Sequence, residues 1–218
     1  NEFFAAKSQL SKPAREGGKI VTARNGRLQY EITATGRPAH AGTRHMDGRS
    51  AIKEMAHQIL KLEALTDYER GLTCSVGTIT GGTLTNVIPN ECSVSVDFRV
   101  PEMETASEIM TIVENLEPVN PDCNISIKGG VDRPPYEKFD GISKLFEHAK
   151  SIAAEIGFEL KDMKTGGGSD GNFTAALGIP TLDGLGADGS GAHSFDEYIY
   201  FSSLKERTKV SSLKIINN

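Results

Sequence analysis

The chain has 218 residues and a formal net charge of -5, with 29 Asp and Glu residues against 24 Lys and Arg residues. This length is enough to bury one large core or two cores of about 100 residues each. The charges are dispersed without a basic block, and no apolar run approaches the roughly 18 residues of a transmembrane helix, which argues against nucleic acid and membranes as partners. We therefore expect a soluble, cytoplasmic protein that binds a small molecule or a peptide.

The first half of the chain alternates between strand and helix patterns. Residues 28–34 alternate apolar and polar side chains, which predicts a strand that ends at the Gly36-Arg37-Pro38 turn. Ser50 is placed to cap a helix whose apolar residues recur every three or four positions. Residues 72–80 and 92–100 predict two further strands, and the second of these has the cleanest alternation in the sequence.

A second helix and a fourth strand complete this half. Thr105, with Glu108 three residues later, has the spacing of a capping box at a helix start, and residues 124–128 predict a short strand. The order strand, helix, strand, strand, helix, strand is typical of a ferredoxin-like, split β-α-β sandwich. We therefore predict an α+β fold with a four-stranded antiparallel sheet covered on one face by two helices.

The pattern changes after the Arg133-Pro134-Pro135 break, which cannot continue a helix or an inner strand. We predict, in order, an amphipathic helix over 142–156, a Gly-rich loop at 165–171, a small helix near 172–177, a short strand at 179–182 and a closing helix from Phe201. These elements resemble part of an α/β layer structure but are too few for a complete one. The predicted organisation is an N-terminal segment (1–26), a split β-α-β domain (27–135) and an incomplete α/β portion (136–218).

Four sequence features could carry chemistry, and the residues alone leave each open. His193 follows a glycine loop, where a lone histidine is more often a solvated side chain than a metal ligand. The 165–171 loop precedes a helix and could bind an anion, or could simply need the conformational freedom of glycine. Arg133 could grip a carboxylate bidentately or pair with its neighbour Asp132. His40 lies among small residues, where a ring nitrogen would be accessible to a ligand.

Five stretches together resemble the dinuclear zinc amidohydrolases and metallopeptidases that include glutamate carboxypeptidase, succinyl-diaminopimelate desuccinylase, acetylornithine deacetylase and aminoacylase. The resemblance runs from about Pro13 to Phe201. Its motifs, in the order of that family, are GRPAHAG (36–42), GGTLTNVIP (81–89), VDFRVP (96–101), TGGGSD (165–170) and GAHS (191–194). The resemblance implies that residues 27–135 form the family's lid, which is also its dimerisation domain, and that residues 136–218 belong to its catalytic domain.

The resemblance also implies roles for single residues. It makes His193 a ligand of the second of two zinc ions, and His40 the lid histidine that reaches the partner subunit's site and stabilises the oxyanion. It makes Asn86, Arg133, Thr165 and Gly167 substrate-binding residues, with Arg133 and Thr165 at the substrate carboxylate. The implied activity is hydrolysis of amide bonds in small N-acyl amino acids or peptides with a free carboxylate, by a homodimer that uses two zinc ions per active site.

The sequence departs from that family at its N-terminal side. Family members begin with roughly 150 to 200 residues, the size of a whole domain, that supply most of the metal ligands and the general base, and nothing here corresponds to them. Lys12 stands where the family has a glutamate directly before the matching proline, and an ammonium group cannot bind zinc. We therefore expect this chain by itself to be inactive.

Two other classes of function compete with the enzyme. The chain could act as a non-catalytic lid and dimerisation module that binds a partner or a small carboxylate. A ferredoxin-like regulatory domain that binds an amino acid is a weaker interpretation, because it leaves the His193 and Thr165 segments unexplained. Hydrolysis that a chelator abolishes would favour the enzyme over both.

Overall fold

The computed structural model describes residues 18–191 and 194–216. In chain order the elements are β1 (Ile20–Arg24), β2 (Gly26–Thr35), α1 (Ala51–Glu63), β3 (Thr73–Gly81), β4 (Glu91–Val100), α2 (Met103–Glu114), β5 (Asn124–Arg133), α3 (Asp140–Ile156), β6 (Asp162–Thr165), α4 (Gly171–Ala176), β7 (Gly189–Ser190), β8 (Tyr198–Ile199) and α5 (Phe201–Ile216). A short 3-10 helix, His45–Asp47, precedes α1. None of the described helices is both long and apolar enough to cross a membrane.

The chain divides into two compact units. The inserted unit consists of Gly26–Asp132, and the flanking unit combines residues 18–25 with the described residues from Arg133 onward. Each unit has its own apolar core.

The inserted unit is an antiparallel sheet with the strand order β3-β4-β2-β5. Gly26 pairs with Val100 and Thr35 with Glu91, so β2 and β4 align over their full lengths. Because side chains alternate across a strand, the apolar residues of both strands share one face with the inner sides of α1 and α2. Members of this core include Leu28, Tyr30, Ile32, Met55, Leu62, Val94, Phe98, Ile109 and Val113. The predicted α+β fold class is confirmed.

The two helices of the inserted unit begin in different ways. Ser50 caps α1 as predicted, because its hydroxyl accepts a hydrogen bond from the Lys53 N–H at 3.2 Å. The predicted capping box at Thr105 is wrong: α2 begins at Met103, and Thr105 lies inside the helix with 2 % of its surface exposed. Glu108 pairs with Arg70 across the surface instead. Local spacing had assigned Thr105 and Glu108 to a helix start, but burial of Thr105 and the pairing of Glu108 with Arg70 place both residues inside the helix.

The flanking unit packs helices against a short parallel sheet. Strand β1 is buried along its whole length and pairs with β6 in parallel, with Ile20 opposite Asp162 and Arg24 opposite Thr165. Helix α3, which was predicted, contributes its apolar stripe to the core and ends at Gly157 in the left-handed conformation, a common helix C-terminus.

Local patterns missed several strands. Neither β1 nor β6 was predicted, and residues 179–182 form no strand: only Asp183 makes an isolated bridge, to Val21. Pro180 has no N–H to donate, and the Thr181 hydroxyl bonds locally to the Ile179 carbonyl at 2.9 Å, which competes with sheet pairing.

Strand β5 continues to Arg133 rather than ending at residue 128. Gly129 lies so close to β2 that a Cβ there would be 2.0 Å from the Gln29 carbonyl oxygen. The absence of a side chain at Gly129 therefore allows β5 to continue beside β2.

Candidate functional site

The loop after β2 presents His40 with a defined ring orientation. The side chain is exposed, and its Nδ1 accepts hydrogen bonds from the backbone N–H groups of Gly42 at 3.1 Å and Thr43 at 3.2 Å. In a neutral imidazole one nitrogen accepts while the other carries the proton. The proton therefore lies on Nε2, which is directed away from these bonds and can donate to a ligand.

Asn86 lies on the segment that pairs with the His40 loop. The Ala41 N–H donates to the Asn86 carbonyl at 2.9 Å, and the Ile88 N–H donates to the Ala39 carbonyl at 2.8 Å. The structure thus brings together the segments of two predicted site residues, His40 and Asn86, and leaves both side chains exposed.

The same loop carries more positive than negative charge. Arg44 pairs with Asp47 at 2.6 Å, Arg49 pairs with Asp122 at 2.7 Å, and the Arg37 Nε donates to the Asp47 carbonyl at 2.5 Å. These three arginines pair with only two carboxylates, so the loop should attract anionic ligands, most strongly at low ionic strength.

The Gly-rich loop of the flanking unit follows β6. Thr165 ends that strand with 8 % of its surface exposed, and its carbonyl accepts the Asn25 N–H at 3.0 Å. Its hydroxyl accepts a long hydrogen bond, 3.4 Å, from the Gly167 N–H. Thr165 and Gly167, two predicted substrate-binding residues, are therefore linked directly.

Arg133 lies beside this loop. A Cβ at Gly168 would come within 2.9 Å of the Arg133 Cδ, which shows how closely the arginine packs on the glycine. Its guanidinium carbon lies 5.4 Å from the centre of the Phe173 ring, and Nη2 lies 3.5 Å from an Asp170 oxygen. The structure thus places a partly exposed guanidinium next to the backbone of the 165–171 loop, a combination that suits a carboxylate ligand.

A buried ion pair that sequence patterns did not reveal supports the loop. Arg24 is 4 % exposed and Asp183 is 3 % exposed. The Arg24 Nε and Nη2 each lie 2.9 Å from the Asp183 Oδ2, and Nη1 donates to the Gly167 carbonyl. The available signal was the arginine that ends the mainly apolar Ile20–Arg24 run, because a charge in a buried strand requires a partner.

Two further polar side chains complete this network. The Ser169 hydroxyl donates to Asp183 and accepts the Gly171 N–H at 3.1 Å. Asn172, which is fully buried, accepts the Ser169 N–H at 2.9 Å and donates to the Pro134 carbonyl at 2.8 Å. Burial raises the pKa of the neighbouring Tyr136 hydroxyl, which keeps that ring neutral. The loop backbone is therefore held by buried side chains on both of its sides.

His193, the predicted metal ligand, lies outside the residues described. Lys12, which stands where the family has a glutamate, also lies outside them. Within residues 18–191 and 194–216, no group of three His, Cys, Asp or Glu side chains is arranged to hold a metal ion. The described residues by themselves thus do not fit a complete zinc site.

Comparisons with known proteins identify the inserted unit. Residues 22–121 match the family described as peptidase dimerisation domain. The chain is 25% identical to carboxypeptidase G2 of Pseudomonas sp. over 91% of its own length and 49% of that protein. It is 26% identical to a succinyl-diaminopimelate desuccinylase of Hydrogenovibrio crunogenus over 92% of its length and 54% of that protein. The similarity to these hydrolases thus covers most of the chain.

A solved structure extends this similarity to the whole fold. The chain superposes on aminopeptidase PepT from Bacillus cereus with a TM-score of 0.72 and 28% identity, covering 91% of this chain and 52% of that one. The resemblance inferred from the five motifs is therefore confirmed. The chain spans about half the length of the curated relatives that it matches.

Proposed function

We propose that this chain is the substrate-recognising and dimerising part of a metal-dependent hydrolase. That enzyme would cleave amide bonds in small N-acyl amino acids or peptides with a free carboxylate. The observation that carries this proposal is the position of Arg133 against the 165–171 loop. Similarity to a carboxypeptidase, a desuccinylase and an aminopeptidase supports amide hydrolysis as the reaction.

In this proposal Arg133, Thr165 and Gly167 bind the substrate carboxylate. A guanidinium offers two parallel N–H donors that match the two carboxylate oxygens, and nearby backbone N–H groups add further donors. The cation-π contact with Phe173 limits the positions of the Arg133 side chain, so less conformational entropy is lost when the ligand binds.

His40 would act on the carbonyl oxygen of the scissile amide. Because Nδ1 accepts from two backbone N–H groups, Nε2 is available as a donor. Such a donor stabilises negative charge that develops on an oxygen in the transition state. Asn86, on the paired segment, would add a second polar contact to the substrate.

The metal site is proposed from the resemblance alone. His193 would bind one of two zinc ions, and the other ligands and the general base would come from residues that this chain lacks. Zinc would supply a nucleophilic water at neutral pH. We infer that the chain alone is inactive, which a hydrolysis assay with N-acyl amino acids would contradict if it detected turnover that a chelator abolishes.

The inserted unit is proposed to form a homodimer through an edge of its sheet or through a helix. Both β3 and β5 lie at edges of the four-stranded sheet, and an unpaired strand edge can pair with another strand. Ile79 on β3 is 56% exposed. Sedimentation of the full chain should show a dimer whose association Ile79→Lys weakens, and a monomer at high concentration would contradict the proposal.

Binding of p-aminobenzoyl-L-glutamate to the full chain tests the carboxylate site. Calorimetric titration should detect binding that Arg133→Gln weakens by at least about tenfold, the equivalent of roughly 1.4 kcal/mol for a lost charged hydrogen bond. The matched control is Arg70→Gln, which removes an exposed arginine paired with Glu108 in the inserted unit. Equal affinities for the two variants would overturn the assignment of Arg133.

A further inference from the structure

The 165–171 loop is held in place by a buried ion pair rather than by backbone pairing alone. We propose that Arg24 and Asp183 are positioning residues that keep this loop in the shape that binds the substrate carboxylate. This inference rests on the proposed carboxylate site, and it adds residues that do not themselves contact the substrate.

Arg24 uses all three of its guanidinium nitrogens. Nε and Nη2 are both directed at Asp183, and Nη1 reaches the Gly167 carbonyl. One planar group on β1 therefore links the strand, Asp183 and the loop in a single arrangement. A lysine could neutralise Asp183 but could not reproduce this fork of donors.

The Asp183 carboxylate accepts two further hydrogen bonds besides those from Arg24. Its Oδ1 accepts the Gly184 N–H at 2.6 Å, and its Oδ2 accepts the hydroxyl of Ser169. The same hydroxyl accepts the Gly171 N–H. The loop is thus tied at Gly167, Ser169 and Gly171.

Gly168 lies between the tied positions and beside Arg133. Its N–H makes no hydrogen bond within the part of the chain that the structure describes, and the residue is partly exposed. A carboxylate oxygen bound by Arg133 would have this N–H as a nearby donor. The ties on either side would keep the donor in place before the ligand arrives.

Stability alone is a poor explanation for this pair. Replacing a buried ion pair with apolar residues of similar volume often leaves stability unchanged or increases it, whereas removing one partner is strongly destabilising. The feature that apolar residues cannot supply is the directional bond to the Gly167 carbonyl. Replacing both Arg24 and Asp183 with apolar residues therefore tests whether the pair positions the loop, independently of its effect on folding stability.

The experiment compares four forms of the full chain. Arg24→Met/Asp183→Leu removes the pair without leaving a lone charge, Arg24→Lys keeps the charge but loses the fork, and Ile142→Val is a mild core change in the same unit. Hydrogen exchange of the peptide over residues 165–171 and calorimetric titration with p-aminobenzoyl-L-glutamate are measured for each variant and for the unaltered chain.

We expect exchange in the loop to become at least about tenfold faster, and affinity to fall at least about tenfold, in the double variant and in Arg24→Lys but not in Ile142→Val. Unchanged loop exchange in both altered forms would overturn the proposal, as would faster exchange with unchanged affinity. If the unaltered chain does not bind the probe, the proposed carboxylate site fails, while the exchange data still decide whether Arg24 and Asp183 hold the loop. Arg24→Lys keeps the test decisive if the double variant does not fold.

Discussion

The two units hold their candidate functional loops by different means. In the inserted unit, main-chain hydrogen bonds pair the His40 loop with the segment around Asn86. In the flanking unit, the Gly-rich loop depends on the side chains of Arg24 and Asp183. Main-chain pairing depends little on side-chain identity, whereas a buried ion pair depends on both partners. Single substitutions should therefore disturb the flanking loop more than the histidine loop.

Asp183→Ala should have the largest effect on stability. It leaves the Arg24 guanidinium buried without its carboxylate, which typically costs about 3–5 kcal/mol. Urea unfolding, followed with hydrogen exchange resolved by unit, should show the loss in the flanking unit. The control Asp122→Ala removes the partner of Arg49 in the inserted unit, where the Asp122 side chain is 53% exposed, and should cost less than about 1 kcal/mol. Similar losses for the two variants would contradict the contrast between the units.

Glu54→Gln tests the one extensively hydrogen-bonded buried carboxylate that the structure shows in the inserted unit. Glu54 is 2% exposed and accepts hydrogen bonds from Gln58 and from the N–H groups of Val119 and Asn120. The amide keeps the shape but turns one acceptor into a donor, so stability should fall by about 1–3 kcal/mol. The measurement is chemical denaturation near neutral pH.

The pH dependence of folding stability gives a second test of Glu54. Burial by itself would raise the pKa of the Glu54 carboxyl, but the hydrogen bonds from Asn120, Gln58 and Val119 outweigh it and lower the pKa. The contribution of Glu54 is therefore complete above the unfolded value of about 4.3 and is lost as the pH falls through the lower folded-state pKa. Between about pH 5 and pH 3, the original chain should lose more stability than Glu54→Gln does. Parallel pH profiles would contradict this role.

Ser50→Ala should have the smallest of these effects. It removes the hydroxyl that accepts the Lys53 N–H at the start of α1, at a cost of about 1 kcal/mol. Ser107→Ala is the matched control, because that exposed serine lies within α2 and its hydroxyl bonds only to the Met103 carbonyl one turn earlier. Equal midpoints in thermal unfolding would show that the cap contributes nothing to the inserted unit.

The sequence predicted most of the inserted unit because its signals are local. Alternation in residues 92–100 follows from the two faces of one strand, and the cap at Ser50 is a contact with a residue three positions later. Thr105 shows the limit of such signals: the same spacing that suggests a cap also fits a buried residue within a helix, and only packing distinguishes the two. In the flanking unit, periodicity identified α3 but could not show that β1 pairs with β6 far along the chain.

Sequence motifs and tertiary structure also revealed different parts of the candidate site. Motifs in the sequence pointed to His40, Asn86, Arg133, Thr165 and Gly167, and the resemblance that these motifs indicated is confirmed. The roles assigned to these residues remain predictions, as does that of His193. The support for the Gly-rich loop was not foreseeable from motifs, since Arg24 and Asp183 are 159 positions apart in sequence.

The sequence by itself determined the resemblance to these hydrolases, the α+β class and the order of the elements in the inserted unit, because these depend on short motifs and on residue periodicity. Tertiary structure alone decided where Arg133 lies and what holds the 165–171 loop. Those features arise when distant segments meet away from water, where an unpaired charge is costly and each polar group must find a partner. The pattern of residues along the chain does not indicate which distant residue that partner will be.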